Sequence, residues 1–399
     1  MAVSAVQSYP GQVPYYKNSS PTFPFISVSA DSDVVTVFPE FLGVPFDIFS
    51  STTPPPATHP WTIQIQSLAA SAKSLGKPIL LQTVLTRDRM VPRTVIVNGA
   101  LTVDSKWAPG CYDFSNANNS STGDAYVRYV NWLAKLFNPK YYVFMIEINL
   151  YYESCGGASP SWTNLVGIHQ RAYSAVKSAN PNIIAFPSFT LETIYGHTLT
   201  GFDQSHYLAL APLTRDRFGV ATYPYGLRRA DGNFISPYDL PVDYLSRVRN
   251  RNPSEPKMVV TETGWNSDNL AIGAPGSCFP QFLHSDSSYQ AAYMQFLIFH
   301  AYFDVFEAIT WWSDRDLITT ASMTTCYPAA AAPSFVECSG DIWCLAVNGA
   351  RQDANGWPPA FSEVVFKAFG TMGLRQYDGT AKPSAITLWQ RFVSLPVAN

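Results

Sequence analysis

Charged side chains are scarce in this 399-residue chain: Asp, Glu, Lys and Arg make up 14% of it, against about a quarter in an average globular protein. The net charge is −3, and the densest basic run is Arg247–Arg251. Such a run is too short to neutralise many phosphates, which argues against nucleic acid as a partner. No apolar run reaches the roughly 18 residues that a membrane span needs, so we expect no membrane association.

Several chemical signatures are missing as well. No two cysteines form a C-x-x-C pair, and no histidine lies beside a cysteine at metal-ligand spacing, which argues against zinc. No predicted strand is followed by a glycine-rich dinucleotide-binding fingerprint, and no G-x-S-x-G nucleophile elbow occurs. We therefore expect neither a metal nor a cofactor, and a serine hydrolase is poorly supported.

The chain is rich in apolar and aromatic residues, at 47% and 14%. Few charges beside many Trp, Tyr, Asn, Ser and Thr suit a neutral ligand with apolar faces and many hydroxyls, which describes carbohydrate. Six cysteines in a chain of this composition favour disulfides and an extracellular location, although six buried thiols are the simpler alternative. No secretory signal is visible, so secretion is inferred from composition alone.

Strand-like and helix-like segments alternate from about residue 41 to 370. This pattern predicts parallel βαβ units and favours one (β/α)8 TIM barrel over residues 41–399, preceded by an N-terminal extension, residues 1–40, partly packed on it. A doubly wound sheet is the alternative. Long loops at 87–123, 266–286 and 318–350 are expected at strand ends, stapled by disulfides.

The predicted strands are Asp33–Phe38, Phe41–Phe49, Lys77–Thr86, the run ending at Glu147, Ile183–Phe189, Arg217–Pro224, Met258–Thr261 and Ala308–Trp312. The predicted helices are Trp61–Leu75, Asp124–Phe137, Trp162–Ala179, Leu240–Arg251, Ser288–Phe303, Phe361–Phe369 and one near Trp389, with Ser287 as a cap.

Two apolar strands each deliver a glutamate: KMVVTETGWNSD delivers Glu262, and YYVFMIEINLYYE delivers Glu147. A buried carboxylate must be offset by partners or have a task, and the C-terminal ends of barrel strands form the active-site face. A pair of carboxylates is what glycosidic cleavage requires. The alternative is a structural ion-pair network with arginines at the barrel end, for which the candidates are Arg87, Arg89 and Arg217.

Other side chains at the predicted strand ends suit sugar binding through rings, amides and hydroxyls. If the fourth strand stays regular, Met145, Glu147 and Asn149 share one face. The same alternation separates Trp311 from Trp312 without showing which faces inward, and core packing is the alternative role for each tryptophan. The predicted substrate-binding residues are Asn149, Tyr223, Trp265, Trp311, Trp312, Asp47 and Gln82.

Three of these segments, VVTETGWNSD, VFMIEINLYYES and AITWW, resemble strands seven, four and eight of the clan A (β/α)8 glycoside hydrolases. Within that clan the chain is most similar to the endo-β-1,4-galactanase and β-1,3-glucanase families. VATYPY resembles the sixth strand and YDGTAKP a closing turn before the last helix. The resemblance implies that Glu262 is the nucleophile and Glu147 the general acid/base of a retaining mechanism. It also implies that Tyr223 bonds the nucleophile.

The chain departs from the clan pattern at two points. The residue before the acid/base is usually Asn, and here it is Ile146, with Asn149 as a possible substitute. The arginine that the clan often places on its second strand has no clear equivalent. The leading hypothesis is a secreted, monomeric, endo-acting retaining β-glycosidase, and the alternative is a non-catalytic carbohydrate-binding protein on the same scaffold. Cys111 and Cys155 lie on neighbouring predicted loops, so a disulfide between them is expected.

Overall fold

A computed structural model describes residues 2–5, 32–39, 46–51, 54–86, 91, 94–97, 100–103, 111–274, 277–303, 305–312, 315–316 and 369–393. The predicted loop at 318–350, most of the predicted helix Phe361–Phe369, and Arg87 and Arg89 lie outside these residues.

Most of the described strands belong to two parallel sheets. One sheet has the order β1-β13-β10-β9-β8 and the other β2-β3-β6-β7. Two further strand pairs, β4 with β5 and β11 with β12, are antiparallel hairpins in the loops predicted at 87–123 and 266–286. The strands are β1 (Ala2–Ala5), β2 (Val35–Val37), β3 (Ile79–Thr83), β4 (Thr94–Val97), β5 (Ala100–Val103), β6 (Tyr141–Phe144), β7 (Ile184–Phe186), β8 (Ser188–Thr190), β9 (Phe218–Thr222), β10 (Met258–Thr263), β11 (Leu270–Ala274), β12 (Ser277–Leu283) and β13 (Phe306–Trp311).

Helices connect the parallel strands, as the alternation predicts. The described α-helices are α1 (Pro60–Ser74), α2 (Ser120–Phe137), α3 (Asn149–Ser154), α4 (Pro160–Ala179), α5 (Leu191–Ile194), α6 (Gln204–Ala209), α7 (Arg247–Arg251), α8 (Ser287–Tyr302) and α9 (Pro383–Val393). Short 3-10 turns cover Ala117–Asn119, Pro224–Gly226 and Pro237–Asp239. The prediction of an α/β fold with parallel strands is confirmed.

Residues 1–40 contribute two strands to these sheets. β1 pairs with β13, from Ala2 opposite Ala308 to Ala5 opposite Trp311, and β2 pairs with β3. The first 40 residues therefore include elements of the sheets themselves, which is more than an extension packed on a barrel. β7 and β8 follow each other around Pro187, which has no N–H to give to a ladder; β7 pairs with β6 and β8 with β9.

Apolar side chains form two layers. The smaller, which we call the inner cluster, takes residues from both sheets, so the sheets pack face to face across it. Its members are Val34, Phe38, Leu80, Val84, Tyr141, Val143, Ile146, Phe186, Val259 and Ala308. The larger layer lies between the strands and the helices. Because strand side chains alternate, β3, β6, β7, β10 and β13 contribute to both layers.

Three predicted elements differ from the structure. Asp286, and not Ser287, caps α8, because its carboxylate accepts the backbone N–H groups of Ser288 and Tyr289. The segment Leu240–Arg251 is helical only as α7, and its earlier residues form turns. The described part of Phe41–Phe49, residues 46–49, is also a turn.

Cys111 and Cys155 form a disulfide, as expected. It links the segment before α2 to the residue that ends α3. Cys111 and Cys155 are the cysteines whose side chains the structure describes; the side chains of Cys278, Cys326, Cys338 and Cys344 lie outside this description. Within the same part of the chain, no helix is both long and apolar enough to cross a membrane.

Candidate active site

A β-bulge turns Glu262 toward the space between the two sheets. The register of β10 against β9 shifts just before Glu262, which leaves Thr261 as the extra residue. Beyond the bulge Glu262 lies opposite Ala221. Gly219, two residues earlier in β9, faces inward, because a Cβ added there would meet the Phe186 ring. Since paired residues share a face, Ala221 and Glu262 face inward too.

Gln82 supports this bulge from the opposite sheet. Its side chain is fully buried, and its amide nitrogen donates to the carbonyl oxygen of Thr261 over 3.0 Å. Gln82 was predicted to bind substrate. Its full burial instead gives it a role beneath the carboxylate, where it holds the backbone that aims Glu262.

The residues after Glu262 are tightly anchored. A Cβ on Gly264 would lie 2.7 Å from the Trp312 carbonyl oxygen and 2.7 Å from the Met372 sulfur, so only glycine fits. Farther along, the Asn266 side chain accepts the backbone N–H of Thr371 over 3.1 Å. The strand end that bears Glu262 is thereby fixed to the segment before α9.

Tyr223, at the end of β9, contacts Glu262. Its hydroxyl donates to Oε2 of Glu262 over 3.3 Å. Burial raises the pKa of Tyr223 well above its usual value, and the charges of Glu262, Tyr225 and Glu147 raise it further. Both carboxylates therefore act electrostatically on one neutral hydroxyl, which remains a hydrogen-bond donor over the physiological pH range.

Glu147 lies on an irregular turn. β6 ends at Phe144, and both Met145 (φ 60°) and Glu147 (φ 51°) adopt left-handed backbone conformations that are unfavourable for residues other than glycine. Three hydrogen bonds hold the turn from neighbouring elements. The Met145 N–H donates to the Tyr126 hydroxyl, the Ile146 N–H to the Thr83 carbonyl, and the Glu147 N–H to Ser188 Oγ. The helix α2 and the neighbouring strands thus impose the strained geometry that presents Glu147.

The expectation that Met145, Glu147 and Asn149 share one strand face fails because the strand ends before them. Asn149 begins α3 and is fully buried. Its amide oxygen accepts the Thr190 N–H over 2.8 Å, and its amide nitrogen donates to the Thr190 carbonyl over 2.9 Å. The same nitrogen contacts Thr193 Oγ1 and His206 Nε2. Asn149 is thus engaged with the protein and does not face a sugar, contrary to its predicted substrate-binding role.

Thr190 connects Asn149 to the carboxylate of Glu147. Its hydroxyl donates to Oε1 of Glu147 over 2.9 Å. Ile146 belongs to the inner cluster and is 5% exposed. Neither Ile146 nor Asn149 therefore presents an amide to a ligand beside Glu147.

A third carboxylate, Glu192 on α5, is buried close by. Its Oε1 accepts three hydrogen bonds, from Thr222 Oγ1 (2.7 Å), the Tyr223 N–H (2.9 Å) and the Tyr244 hydroxyl (2.9 Å). Burial raises the pKa of Glu192, and these hydrogen bonds oppose the increase. Glu192 therefore fixes the backbone of Tyr223, whose side chain reaches Glu262.

The three tryptophans that were predicted to bind substrate separate into two groups. Trp265 and Trp311 are fully buried, and their indole N–H groups donate to Ser285 Oγ (3.1 Å) and the Met372 carbonyl (2.8 Å). Both rings pack near Tyr293 of α8, so they belong to the layer under the helices. This burial differs from the substrate-binding role that was predicted for both residues.

Trp312 lies on the opposite side of its strand, as alternation requires. It is 7% exposed, and its ring contacts Phe369, whose ring in turn packs on Tyr223. The indole nitrogen of Trp312 has no hydrogen-bond partner among the described residues. This is the tryptophan on the side of the two glutamates.

Asp47, the remaining predicted residue, occupies an exposed turn between β2 and α1. Its carbonyl oxygen accepts the Ser50 hydroxyl over 2.7 Å, and its charge acts on His59. No contact joins Asp47 to either glutamate within the described segments.

The arrangement pairs an enclosed carboxylate with a more open one. Glu262 is 8% exposed and contacts Tyr223, whereas Glu147 is half-buried and contacts Thr190. Unequal surroundings of this kind allow one carboxyl group to be ionised while the other carries a proton. Over the part of the chain that the structure describes, no group of three or more His, Cys, Asp or Glu side chains is placed to hold a metal ion.

Sequence reasoning missed Thr190 and Glu192. Both follow a predicted strand, Ile183–Phe189, and Glu192 is a carboxylate just past the end of an apolar run. The reasoning that selected Glu147 and Glu262 would have selected Glu192 as well. The Thr190 contact gives no sequence signal, because it depends on how β8 approaches the turn after β6.

Comparisons with known proteins agree on the fold. No family model and no curated protein sequence matches the chain. Among solved structures, a GH5_18 protein from Bifidobacterium longum, in complex with Manβ1-4GlcNAc, has a TM-score of 0.56 at 12% identity; the match covers 100% of this chain and 80% of that one. The GH53 catalytic domain from Ignisphaera aggregans has a TM-score of 0.50 at 15% identity, covering 98% and 96%. A β-glucuronidase from Bacteroides uniformis has a TM-score of 0.52 at 12% identity, and the chain spans only 35% of its length.

At these identities the similarity concerns the fold alone. The resemblance to clan A glycoside hydrolases that the three sequence segments suggest is confirmed at that level: the chain has an α/β fold with parallel sheets whose structural neighbours are glycoside hydrolases.

Proposed function

We propose that this protein is a retaining β-glycoside hydrolase acting on a poly- or oligosaccharide, with Glu262 as nucleophile and Glu147 as general acid/base. The observation that carries the proposal is that two carboxylates, Glu262 on β10 and Glu147 on the turn after β6, both act on Tyr223. The glycosidase fold of the structural neighbours supports it. We also propose that the eight strand positions, with β7 and β8 counted as one, form a closed (β/α)8 barrel beginning with β1.

Each group has a defined part in the double displacement. Glu262, ionised and steadied by the Tyr223 hydroxyl, attacks the anomeric carbon and forms a covalent glycosyl ester. Glu147 gives its proton to the departing glycosidic oxygen. The resulting Glu147 carboxylate then removes a proton from water, which attacks the same carbon and releases Glu262. Trp312 would support the sugar ring beside the cleaved bond through its apolar face.

Product analysis on a panel of polysaccharides and aryl β-glycosides tests the activity and shows whether cleavage is internal, as we propose. Glu262→Gln and Glu147→Gln should each abolish nearly all hydrolysis of unactivated substrates with unchanged circular dichroism. Loss of the general acid alone costs about 10²- to 10⁴-fold. Glu153→Gln is a matched control, because Glu153 pairs with His197 outside this site.

Azide distinguishes the two roles. On an activated aryl glycoside, Glu147→Ala with azide should form the β-glycosyl azide, because azide replaces the water that the base would activate. Glu262→Ala with azide should form the α-glycosyl azide, because azide replaces the nucleophile. Full activity in either Gln variant, or the same anomer from both Ala variants, would overturn the assignment.

A non-catalytic carbohydrate-binding protein is the second candidate. It is favoured by one observation, that neither Ile146 nor Asn149 offers an amide to the sugar beside Glu147. Binding on a glycan array without product from any bound glycan would support this function. We also propose an extracellular, monomeric protein without a cofactor. Mass measurement in solution and detection in culture medium test the first two properties.

A further inference from the structure

One short turn lies between the two glutamates and contacts the surroundings of both. It comprises Thr190, at the end of β8, and Glu192, two residues later on α5. The Thr190 hydroxyl bonds the Glu147 carboxylate directly, whereas Glu192 holds the backbone of Tyr223, whose hydroxyl bonds Glu262.

We propose that Thr190 and Glu192 are positioning residues that set the orientation and ionisation of Glu147 and Glu262 respectively. The proposal rests on the proposed function, because it takes these two glutamates as the catalytic pair. Thr190 acts through a hydrogen bond to the carboxylate, and Glu192 acts through Tyr223.

The Thr190 side is rigid. The Asn149 side chain forms two hydrogen bonds to the Thr190 backbone. Its amide oxygen accepts the Thr190 N–H over 2.8 Å, and its amide nitrogen donates to the Thr190 carbonyl oxygen over 2.9 Å. Asn149 follows Glu147 by two residues, so a closed ring of contacts joins Glu147, Thr190 and Asn149. The hydroxyl of Thr190 is consequently held toward Oε1 of Glu147. A donor to a carboxylate favours its ionised form and lowers its pKa.

The Glu192 side chain is buried, and one of its two carboxylate oxygens accepts several hydrogen bonds. Glu192 is 8% exposed, and its Oε1 accepts from Thr222, Tyr223 and Tyr244. A buried carboxylate with three donors is too constrained to exchange protons with a substrate. It is well suited to fix the main chain at the end of β9 and so the direction of the Tyr223 ring.

Thr190→Val tests the first contact, because it keeps the shape of the side chain and removes the donor. The pKa of Glu147 should rise, so the basic limb of the kcat/KM profile should move to higher pH by about one unit, with the acidic limb unmoved. Thr190→Ser restores a hydroxyl and should return the basic limb toward its original position. Thr163→Val, an equivalent change at an exposed position of α4, is the control and should leave both limbs in place.

Glu192→Met tests the second contact by removing the acceptor. Tyr223 should lose its orientation, Glu262 should lose the hydrogen bond from Tyr223, and the acidic limb should move to higher pH with roughly a tenfold loss in kcat. Glu192→Gln retains an acceptor oxygen and should move the limb less. Tyr244→Phe removes one of the three donors and serves as a milder variant, with a smaller shift in the same direction. The position of a limb does not depend on the fraction of folded enzyme.

Two results would overturn the proposal. One is a fall in activity and melting temperature with both limbs unmoved, and the other is a joint shift of both limbs in each variant. If the wild-type protein hydrolyses no glycoside, the proposed function fails but this proposal is still decided. Carbon-13 carboxyl titrations of labelled glutamates, assigned with Glu147→Gln and Glu262→Gln, should then show that Thr190→Val moves only Glu147 and Glu192→Met only Glu262.

Discussion

The Tyr223 hydroxyl donates to Oε2 of Glu262 over 3.3 Å, and the charge of Glu147 also raises the pKa of this tyrosine. A single neutral donor thus lies within electrostatic range of both carboxylates. Its own backbone N–H is held by Glu192. These contacts of Tyr223 with Glu262, Glu147 and Glu192 join the ends of β6, β8, β9 and β10 in one hydrogen-bonded and electrostatic network.

Replacing Tyr223 with phenylalanine should lower kcat/KM. The change removes only the donor to Glu262, and a hydrogen bond to a charged group is worth about 1.5–3 kcal/mol, or roughly 10- to 150-fold in rate. Initial rates on an aryl β-glycoside measure the effect. Tyr302→Phe, on a side chain that is 76% exposed, is the control. Equal rates for Tyr223→Phe and wild type would remove Tyr223 from the mechanism.

Replacement by phenylalanine should affect stability at Trp311 and substrate binding at Trp312. Trp311→Phe removes the indole donor to the Met372 carbonyl, which still accepts from Gln290 over 3.1 Å, so we expect a loss of about 0.5–1.5 kcal/mol in unfolding free energy. Trp312→Phe breaks no hydrogen bond to a described residue, so its main effect should be a higher KM for an oligosaccharide. Urea unfolding and steady-state kinetics on both variants test this contrast. The reverse pattern would show that the assignment of the two faces is incorrect.

Stability should fall in mild acid because of His169. This side chain is fully buried against Phe144, and burial lowers its pKa to about 3. The unfolded chain protonates this histidine near pH 6.5 while the native state does not, so stability is lost as the pH falls from 6.5 toward 3. At pH 5 the loss is about 2 kcal/mol.

His169→Leu should remove this part of the pH dependence, measured as urea midpoints between pH 5 and 7. His284→Gln, at an exposed histidine, should retain it. Identical pH slopes for His169→Leu and wild type would show that His169 is not responsible.

Removing the Cys111–Cys155 disulfide should reduce both stability and activity. The two cysteines are 44 residues apart, and closing a loop of that length stabilises the fold by about 3–4 kcal/mol through the unfolded chain. Cys155 also ends α3, the helix that starts two residues after Glu147. A Cys111→Ser, Cys155→Ser double variant, compared with wild type by urea unfolding and hydrolysis rate, measures both effects. An unchanged midpoint would contradict the stabilising role.

Local pattern was enough to predict most of the fold. Buried apolar runs between helix-period segments mark β3, β6, β9, β10 and β13, and α1, α2, α4 and α8 appear where apolar spacing predicts them. The same reading found Glu147 and Glu262, because a carboxylate is conspicuous at the end of an apolar strand. It also anticipated the Cys111–Cys155 pair.

The roles of most other site residues depended on tertiary structure. The bulge at Thr261 changes the face on which Glu262 lies, and side-chain alternation in the sequence cannot reveal a bulge. Likewise, the left-handed turn after Phe144 leads directly into α3, which places Asn149 in a buried helix. The packing of Trp265 and Trp311 under α8 removes both rings from the site.

The sequence by itself determined which carboxylates lie at strand ends, since apolar runs and their periodicity are local properties of the chain. Only the tertiary structure decided which neighbours those carboxylates contact. Thr190 and Tyr223 reach Glu147 and Glu262 from strand ends that are 43 and 39 positions away in the chain, and Glu192 holds Tyr223 across 31 positions. Contacts of this kind depend on how strands pair and turn, which no local pattern records.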